Sequence, residues 1–486
     1  MHKRGIRTKI LSVLAAGALL FPAATSCSQK GGESLVLDSE DDLSGLTVSC
    51  SAGSYYERKF TSRGDVNVFA CNSEADALQA MRQGLADVFV SDEVMLTEEM
   101  MERLGVRLAL RGSESFPVAF ALRKGNDKLK DELNRFLADA PIDEIFSSWL
   151  HGTEAPPFEG KEIDDDAEPL RCITALNMEP ICYLGENGKW MGADADILQR
   201  FAAWSGRPFE MSFQSMGSAV IALQTGQADI VSACLFVTEE RKKSVDFSNN
   251  YFHCRPGYFV SDKHKGSGAS FADRLKMNLV TENRWKLITG GLWETLKITL
   301  LAILLGTILG VGVCAAKRSR KKWVREAASL YGSFIAGIPT LVLLLIMFYV
   351  VLAETPLSAT AVAVVTFSLC FASSAGNIFD TAISSVPKGQ TEAGLSLGFT
   401  PLKTFNGIVF PQALRKGLPL FAGECVSLLK NTSIVGYIAI QDLTRASDLI
   451  RSRTFDAVIP LLIVTILYFI LAWIIRKLLN LCLPKK

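Results

Sequence analysis

Residues 384–414, SSVPKGQTEAGLSLGFTPLKTFNGIVFPQAL, place polar residues, glycines and prolines between two long apolar runs. Glu392 suits the start of a short helix, where the helix dipole favours a negative charge. Gly398 suits that helix's end. Thr400-Pro401 suits the start of the next, because proline lacks only an N–H that the first turn leaves unpaired. Two helices joined at a glycine make a firm protrusion that another protein's groove can grip. Glu424 and Lys430 stand in the otherwise apolar run 418–440; ionisable groups at that depth turn toward protein or a water-filled cavity. No Gly-x-x-x-x-Gly-Lys-Ser/Thr loop occurs, so the chain does not hydrolyse nucleotide by that route. No pair of cysteines has metal-ligand spacing, and no metal is expected.

The protrusion must be carried by membrane helices. The runs 298–316, 327–353, 355–379, 418–440 and 457–475 give five candidate spans, each near the ~20 apolar residues that cross the hydrocarbon. The connection KRSRKKWVR is strongly basic and ETPLS has no basic residue, so the first belongs inside and the second outside. Counting onward puts 384–414 and the C-terminus inside and the N-terminal region outside. Residues 1–27 agree: a basic start, an apolar run and small residues ending at Ala24-Thr25-Ser26-Cys27 read as a signal peptide with a lipoprotein box and a lipidated Cys27. An uncleaved signal anchor is the alternative. The chain is 49% hydrophobic and 21% charged with a net charge of +1, which gives no reason to invoke nucleic acid. Six cysteines (Cys50, Cys71, Cys172, Cys182, Cys234, Cys254) fall in the exported region. Disulfides and buried free thiols are equally good readings of them.

Within that region ALQAMRQGLADVFVSD (77–92) and VIALQTGQADIVSAC (220–234) repeat one design. An amphipathic helix ends at glycine, and Ala-Asp then opens an apolar strand, as in an α/β unit. Two such units suggest a two-lobed binding protein with its ligand in the cleft.

Longer motifs carry a resemblance. GKWMGADADIL, ALQTGQADI and VTEERKKSVDFSNNYF, within 168–262, resemble the first part of a polar-amino-acid-binding protein of an ATP-driven importer. LSGLTVSCSAGSYYE, GLADVFVSDEVML and VAFALRKGNDKLKDELNRFL, within 43–152, resemble the rest, in reversed order. This implies one circularly permuted domain, in which 43–152 supplies lobe 2 with the C-terminal part of lobe 1, 153–167 joins the old termini, and 168–262 supplies lobe 1. Two incomplete domains completed by partner chains are the rival. By the same resemblance Arg241 forks a ligand carboxylate, Asp92 takes its ammonium, and Gly53 and Ser54 offer the free N–H groups of a helix start. Phe236 replaces a hydroxyl residue, and Met178 and Met216 replace aromatics, so the side-chain pocket leans apolar, unless amino-acid binding has been lost.

Residues 290–480, after a linker at 263–289, resemble binding-protein-dependent permeases of the histidine/glutamine type. The match centres on Glu392, Ala393, Gly394, Gly398, Ile408 and Pro411, with Gly394 in place of a second alanine, a change that loosens a helix by ~1 kcal/mol. It departs at Ala336-Gly337-Ile338-Pro339 and at Asn377 and Asp380. The expected fold is multidomain: a two-lobed α/β periplasmic-binding-protein domain (type II), then an all-α transmembrane ABC permease domain of about five helices. The resemblance implies a separate ATPase subunit holding ATP and magnesium, no cofactor in this chain, an amino-acid substrate, membrane lipid around the helices and a second permease copy. A ligand-gated channel, which would need a re-entrant pore loop, and a membrane sensor are the other readings.

Overall fold

The computed structural model describes residues 35–481 except 165, 186, 187, 215, 240, 263–269 and 354; the expected signal peptide and Cys27 lie outside the described residues. Strands β1 (Thr47–Ser51), β2 (Asn67–Cys71), β3 (Val88–Asp92) and β4 (Val106–Arg111) are followed by β5 (Phe116–Val118), β6 (Ala121–Leu122), β7 (Leu170–Thr174), β8 (Tyr183–Leu184), β9 (Trp190–Met191), β10 (Phe209–Phe213), β11 (Ile230–Ser232), β12 (Asp246–Phe247), β13 (Phe252–Cys254) and β14 (Pro256–Ser261). They form two five-stranded sheets, β2-β1-β3-β14-β4 and β10-β7-β11-β6-β12. Each has the same plan. Three parallel strands are followed by one antiparallel strand from the other half of the domain, then by a fourth of its own.

The Ala-Asp repeat has a structural reason. Asp87, just before β3, accepts from the Thr47 N–H at 2.8 Å, and Asp229, just before β11, accepts from the Arg171 N–H at 2.9 Å. Each carboxylate ties the third strand of its sheet to the first. Helices α1 (Tyr55–Arg63), α2 (Glu74–Arg82), α3 (Glu98–Leu104), α4 (Asp127–Asp139), α5 (Ile142–His151), α6 (Ala193–Ser205) and α7 (Met216–Gln224) cover the sheets. Gly84 after α2 and Gly226 after α7 both take φ near +75° (76° and 74°), a conformation that costs glycine nothing.

Because β6 completes the second sheet and β14 the first, the two sequence pieces build one two-lobed domain. Residues 256–261, expected with lobe 1, belong to the other lobe's sheet. The antiparallel pair β5 and β13 joins the lobes. All six cysteines of this domain are buried free thiols.

Helices α8 (Phe271–Leu279), α9 (Trp285–Lys317), α10 (Lys322–Gly337), α11 (Thr340–Ile346), α12 (Ala359–Ser384), α13 (Lys388–Ser396), α14 (Pro401–Thr404), α15 (Phe410–Asn431), α16 (Leu443–Thr454) and α17 (Val458–Leu481) follow. α9 and α12 run parallel. At one end Thr360 donates to Glu294 at 2.6 Å; at the other Lys317 bonds Asn377, and Arg318 bonds Asp380 at 2.9 Å and Ser384 at 3.0 Å. Asn377 and Asp380, the departures from the resemblance, thus pin two helix ends. Between those ends a Cβ on Gly306 or Gly310 would lie 2.9 Å from Phe371 or Ala375, so small residues set the helix spacing. α15 returns antiparallel to α12: Lys416 donates to the Ser385 carbonyl, and the Phe421 ring lies 5.7 Å from Phe379 and 5.5 Å from Phe371. The basic connection after α9 and the loop after α12 therefore share one end of the bundle, and α16 and the lobes occupy the other.

Three expectations are corrected. The run 327–353 is not a continuous span: Ile338-Pro339 breaks it into α10 and α11, bent by 103°. Proline has no N–H for the helix ladder and disfavours helix at the residue before it. Its two halves still cross the bundle, since α10 leaves the loop end and Phe348, just past α11, accepts from lobe residue Gln227. The run 418–440 is not one element: it is divided between α15, which starts at Phe410, carries Arg415 and Lys416 and ends at Asn431, and the 3₁₀ turns of Thr432–Ile438. Among the described residues three helices are long and apolar enough to cross a membrane, four if the bent pair is one span. Finally, 263–289 is more than a linker, since it holds α8 and the start of α9. Asp456 accepts from Arg274 at 2.6 Å and from Asn278 at 3.0 Å, fixing α8 to the α16–α17 corner.

Candidate functional site

Asp92 closes β3 at the edge of the cleft, 7% exposed. Tyr56, on the second residue of α1, donates to it at 2.5 Å. Burial pushes this carboxyl up to about 6, opposed by hydrogen bonds from Tyr56 and Cys234 and by the positive charge of Arg241. Arg241 opens a single 3₁₀ turn in the other lobe, and its Nη1 donates to the Phe236 carbonyl at 3.0 Å. The two residues expected to hold an amino acid's ends therefore act on each other across the lobes. Glu74, at the start of α2, is driven up to about 7 by burial and by the charge of Asp92, against hydrogen bonds from Ser91 and Ser51. One of its oxygens has no partner among the described residues.

The helix-start expectation is corrected. The Gly53 N–H is not free, because Glu57, in the first turn of α1, turns back and accepts from it at 2.6 Å. Ser54 caps the same helix through the Glu57 N–H at 3.2 Å. Glu57, three residues past the N-cap, thus closes on the residue before the cap, where a full capping box would close on the cap's own N–H. Phe236 is 3% exposed and stacks on Phe116 at 4.9 Å, with Tyr55 and Tyr56 at 5.7 and 6.0 Å, so aromatic rings join the lobes beside Asp92. Met178 is buried in a turn bridged to Cys182, and Met216 starts α7 and packs on the apolar core. Asp92, Cys234 and Cys254 bring three donor atoms within 4.8 Å of one another, close enough to share a metal ion, a grouping that no sequence spacing shows. The Arg241 charge already acting on Asp92 opposes a cation there.

Sequence reasoning passed over α16 as a plain connection. Asp442 caps it through the Thr444 and Arg445 N–H groups, and Leu443, Ala446, Leu449 and Ile450 face inward, a helical repeat legible in the sequence. Other groups on α16 bond both lobes. Arg451 pairs with Asp76 of α2 in one lobe. In the other, Asn177 donates to the Leu449 carbonyl at 3.0 Å and to Ser452 at 2.9 Å, Arg453 pairs with Glu179 at 3.2 Å, and Arg445 donates to the Phe213 carbonyl at 3.1 Å. Asp76 and Asn177 both follow the C-terminal ends of parallel strands, β2 and β7.

At the opposite end, α13, Gly398 and α14 form the expected knuckle. Gly398 takes φ +82°, and Thr400 caps α14 through the Lys403 N–H with Pro401 at its first position. Glu392 is corrected in place: Pro387 starts α13 at Lys388, so Glu392 stands in the second turn and is exposed. Ala393 is exposed beside it. Gly394 is no loosened alanine, because a Cβ there would meet Thr404 at 2.6 Å and Ile408 at 2.9 Å. Ile408 lies in the π turn Phe405–Val409, and Pro411 is the second residue of α15. Leu395, Leu397, Phe399 and Leu402, not singled out from the sequence, stand 46%, 73%, 37% and 70% exposed, an apolar edge of the kind that marks a docking surface. Glu424 is half-buried on α15, and Lys430 is exposed in its last turn.

Residues 302–483 match the family model for the "Binding-protein-dependent transport system inner membrane component". The L-cystine transport system permease protein TcyB of Bacillus subtilis (strain 168) is 36% identical over 205 residues, 42% of this chain and 86% of TcyB. The probable amino-acid ABC transporter permease protein YckA of the same organism is 34% identical over 180 residues, 37% of this chain and 80% of YckA. A crystal structure of an amino acid ABC transporter with histidines is 32% identical with a TM-score of 0.40, covering 45% of this chain and 99% of that one. With most of two such relatives covered above 30% identity, this chain belongs to the family of binding-protein-dependent transport system inner membrane components.

Proposed function

We propose that this chain joins the receptor and the permease of an amino-acid importer. An amino acid enters the cleft between the lobes outside the membrane, with its carboxylate on Arg241 and its ammonium on Asp92. The lobes close on it and pass it to the membrane helices. A separate ATPase subunit, which holds ATP and magnesium, grips Glu392–Pro411 and the exposed leucines around it, and a second copy of the chain completes the pathway. The chain then lies in the inner membrane with both lobes outside and its C-terminus inside, and Cys27 carries the lipid. It performs no catalysis itself.

The observation that carries this reading is α16. It belongs to the permease-matched region and is bonded to both lobes flanking Asp92 and Arg241. One rigid element thereby feels the separation of the lobes and transmits it to helices it packs against, and the receptor needs no diffusional encounter. A channel reading calls for a re-entrant loop, whereas the bent pair crosses the bundle from end to end.

The test is calorimetric titration of the full chain in detergent against the twenty amino acids, with Arg241→Ala alongside. Saturable binding by the wild type and at least tenfold weaker binding by the variant support the receptor. A folded chain that binds none of them sinks the amino-acid assignment and leaves the permease.

A further inference from the structure

A partly open cavity lies away from the Asp92–Arg241 site, where lobe, membrane entry and α16 meet. It measures about 380 Å³ and is lined by Asn177, Arg284, Lys286, Leu449 and Arg453 among others. It shares no residue with the Asp92–Arg241 site. Arg284 and Arg453 are 6% and 8% exposed. Arg284 donates to the Met277 carbonyl and pairs with Glu282 at 2.9 Å; Arg453 pairs with Glu282 at 2.8 Å and Glu179 at 3.2 Å. After those bonds Arg284 Nε and Arg453 Nη1 still have no acceptor among the described residues. Buried guanidinium donors left unmet are costly. Three cations, Arg284, Lys286 and Arg453, therefore line the cavity with one carboxylate, Glu282, while Glu179 pairs with Arg453 from outside the lining.

The surroundings point to a ligand at headgroup depth. The cavity sits at the N-terminus of the 33-residue helix α9, an end that favours anions. Glu282 and Asn283 precede it with φ of 54° and 52°, a left-handed conformation that asparagine tolerates and glutamate rarely adopts. Trp285 and Trp293, 48% and 67% exposed, stand on the same stretch, where aromatic side chains mark the membrane–water boundary.

We propose that this cavity binds a phosphate group, presented by an anionic phospholipid headgroup or taken up as the free ion. The unmet Arg284 Nε and Arg453 Nη1 each offer one charged N–H to a phosphate oxygen, and the exposed Lys286 adds a movable charge at the rim. Filled, the site would satisfy the spare N–H groups and brace the corner where receptor, first span and α16 join.

The test follows tryptophan emission of the full chain in neutral detergent during titration with short-chain phosphatidylglycerol, short-chain phosphatidylcholine or inorganic phosphate. Saturable binding of phosphatidylglycerol, unaltered by phosphate, assigns a lipid headgroup; saturation by phosphate and competition between the two assigns the free ion. Lys286→Gln, at an exposed position, should weaken either by roughly fivefold, and Arg453→Lys, which keeps the charge but loses the spare Nη1 donor, by more. The proposal fails if neither probe saturates, if phosphatidylcholine binds as tightly as phosphatidylglycerol, or if neither variant changes the affinity.

Discussion

Lowering the pH from 7.5 to 5 is the perturbation that most directly probes the cleft. In the empty protein, burial holds the Asp92 carboxyl near 6. An ammonium ligand needs that carboxylate ionised, which it nearly is at pH 7.5 and mostly is not at pH 5. Affinity should therefore fall by about tenfold across that range, or ~1.4 kcal/mol, at a fixed charge on the amino acid. Stability of the empty chain should move the other way. A carboxyl raised in the folded state contributes stability that is complete below the unfolded value and is lost as pH rises through the folded one. The displacement from 3.8 to about 6 corresponds to ~3 kcal/mol in order of magnitude over the whole titration, about half of it between pH 5 and 7.5, and Glu74, raised to about 7, adds in the same direction. The assay is calorimetric titration with the amino acid that binds, at several pH values, with melting curves of the empty chain at the same points. Asp92→Asn should bind weakly at every pH and lose its own part of the stability slope; Glu74→Gln, displaced further, should lose the larger part while still binding. Wild-type affinity that stays constant from pH 5 to 7.5, or an Asp92→Asn chain that binds like the wild type, would refute the reasoning.

Other outcomes follow from single contacts. Arg451→Ala removes the bond between α16 and Asp76 and should leave ligand affinity within about threefold while transport in reconstituted vesicles drops by tenfold or more; equal transport would show that α16 does not couple the lobes. Gly394→Val forces a side chain against Thr404 and Ile408, an overpacking of ~1–3 kcal/mol, and should lower ATPase stimulation in the assembled transporter without altering ligand binding in calorimetry. Arg274→Ala leaves the 7%-exposed Asp456 without its guanidinium and, with the arginine itself about a third exposed and Asn278 still donating, should lower stability by ~1 kcal/mol, read as a lower melting temperature, whereas Arg274→Lys should recover part of it.

Local pattern made much of this molecule legible before any fold. Apolar length and basic connections marked the spans, since crossing hydrocarbon imposes a minimum run of apolar residues whatever the neighbours are. The knuckle at Gly398 and Thr400-Pro401 was readable because a left-handed glycine and a capped proline act within a few residues of themselves. The repeated Ala-Asp marked two equivalent sheets for the same reason, one carboxylate tying strand to strand. Tertiary structure alone decided what depends on distant approach. It set Glu57 on the Gly53 N–H and Phe236 among the rings of Phe116, Tyr55 and Tyr56. It explained Gly394 by the nearness of Thr404 and Ile408 rather than by helix propensity. It gathered Asp92, Cys234 and Cys254 from three separate strands and loops, and it turned an unremarked connection into α16, bonded to both lobes. Helix and turn preferences report the few residues around them; which donor meets which acceptor across hundreds of residues is fixed only when sheets and spans pack.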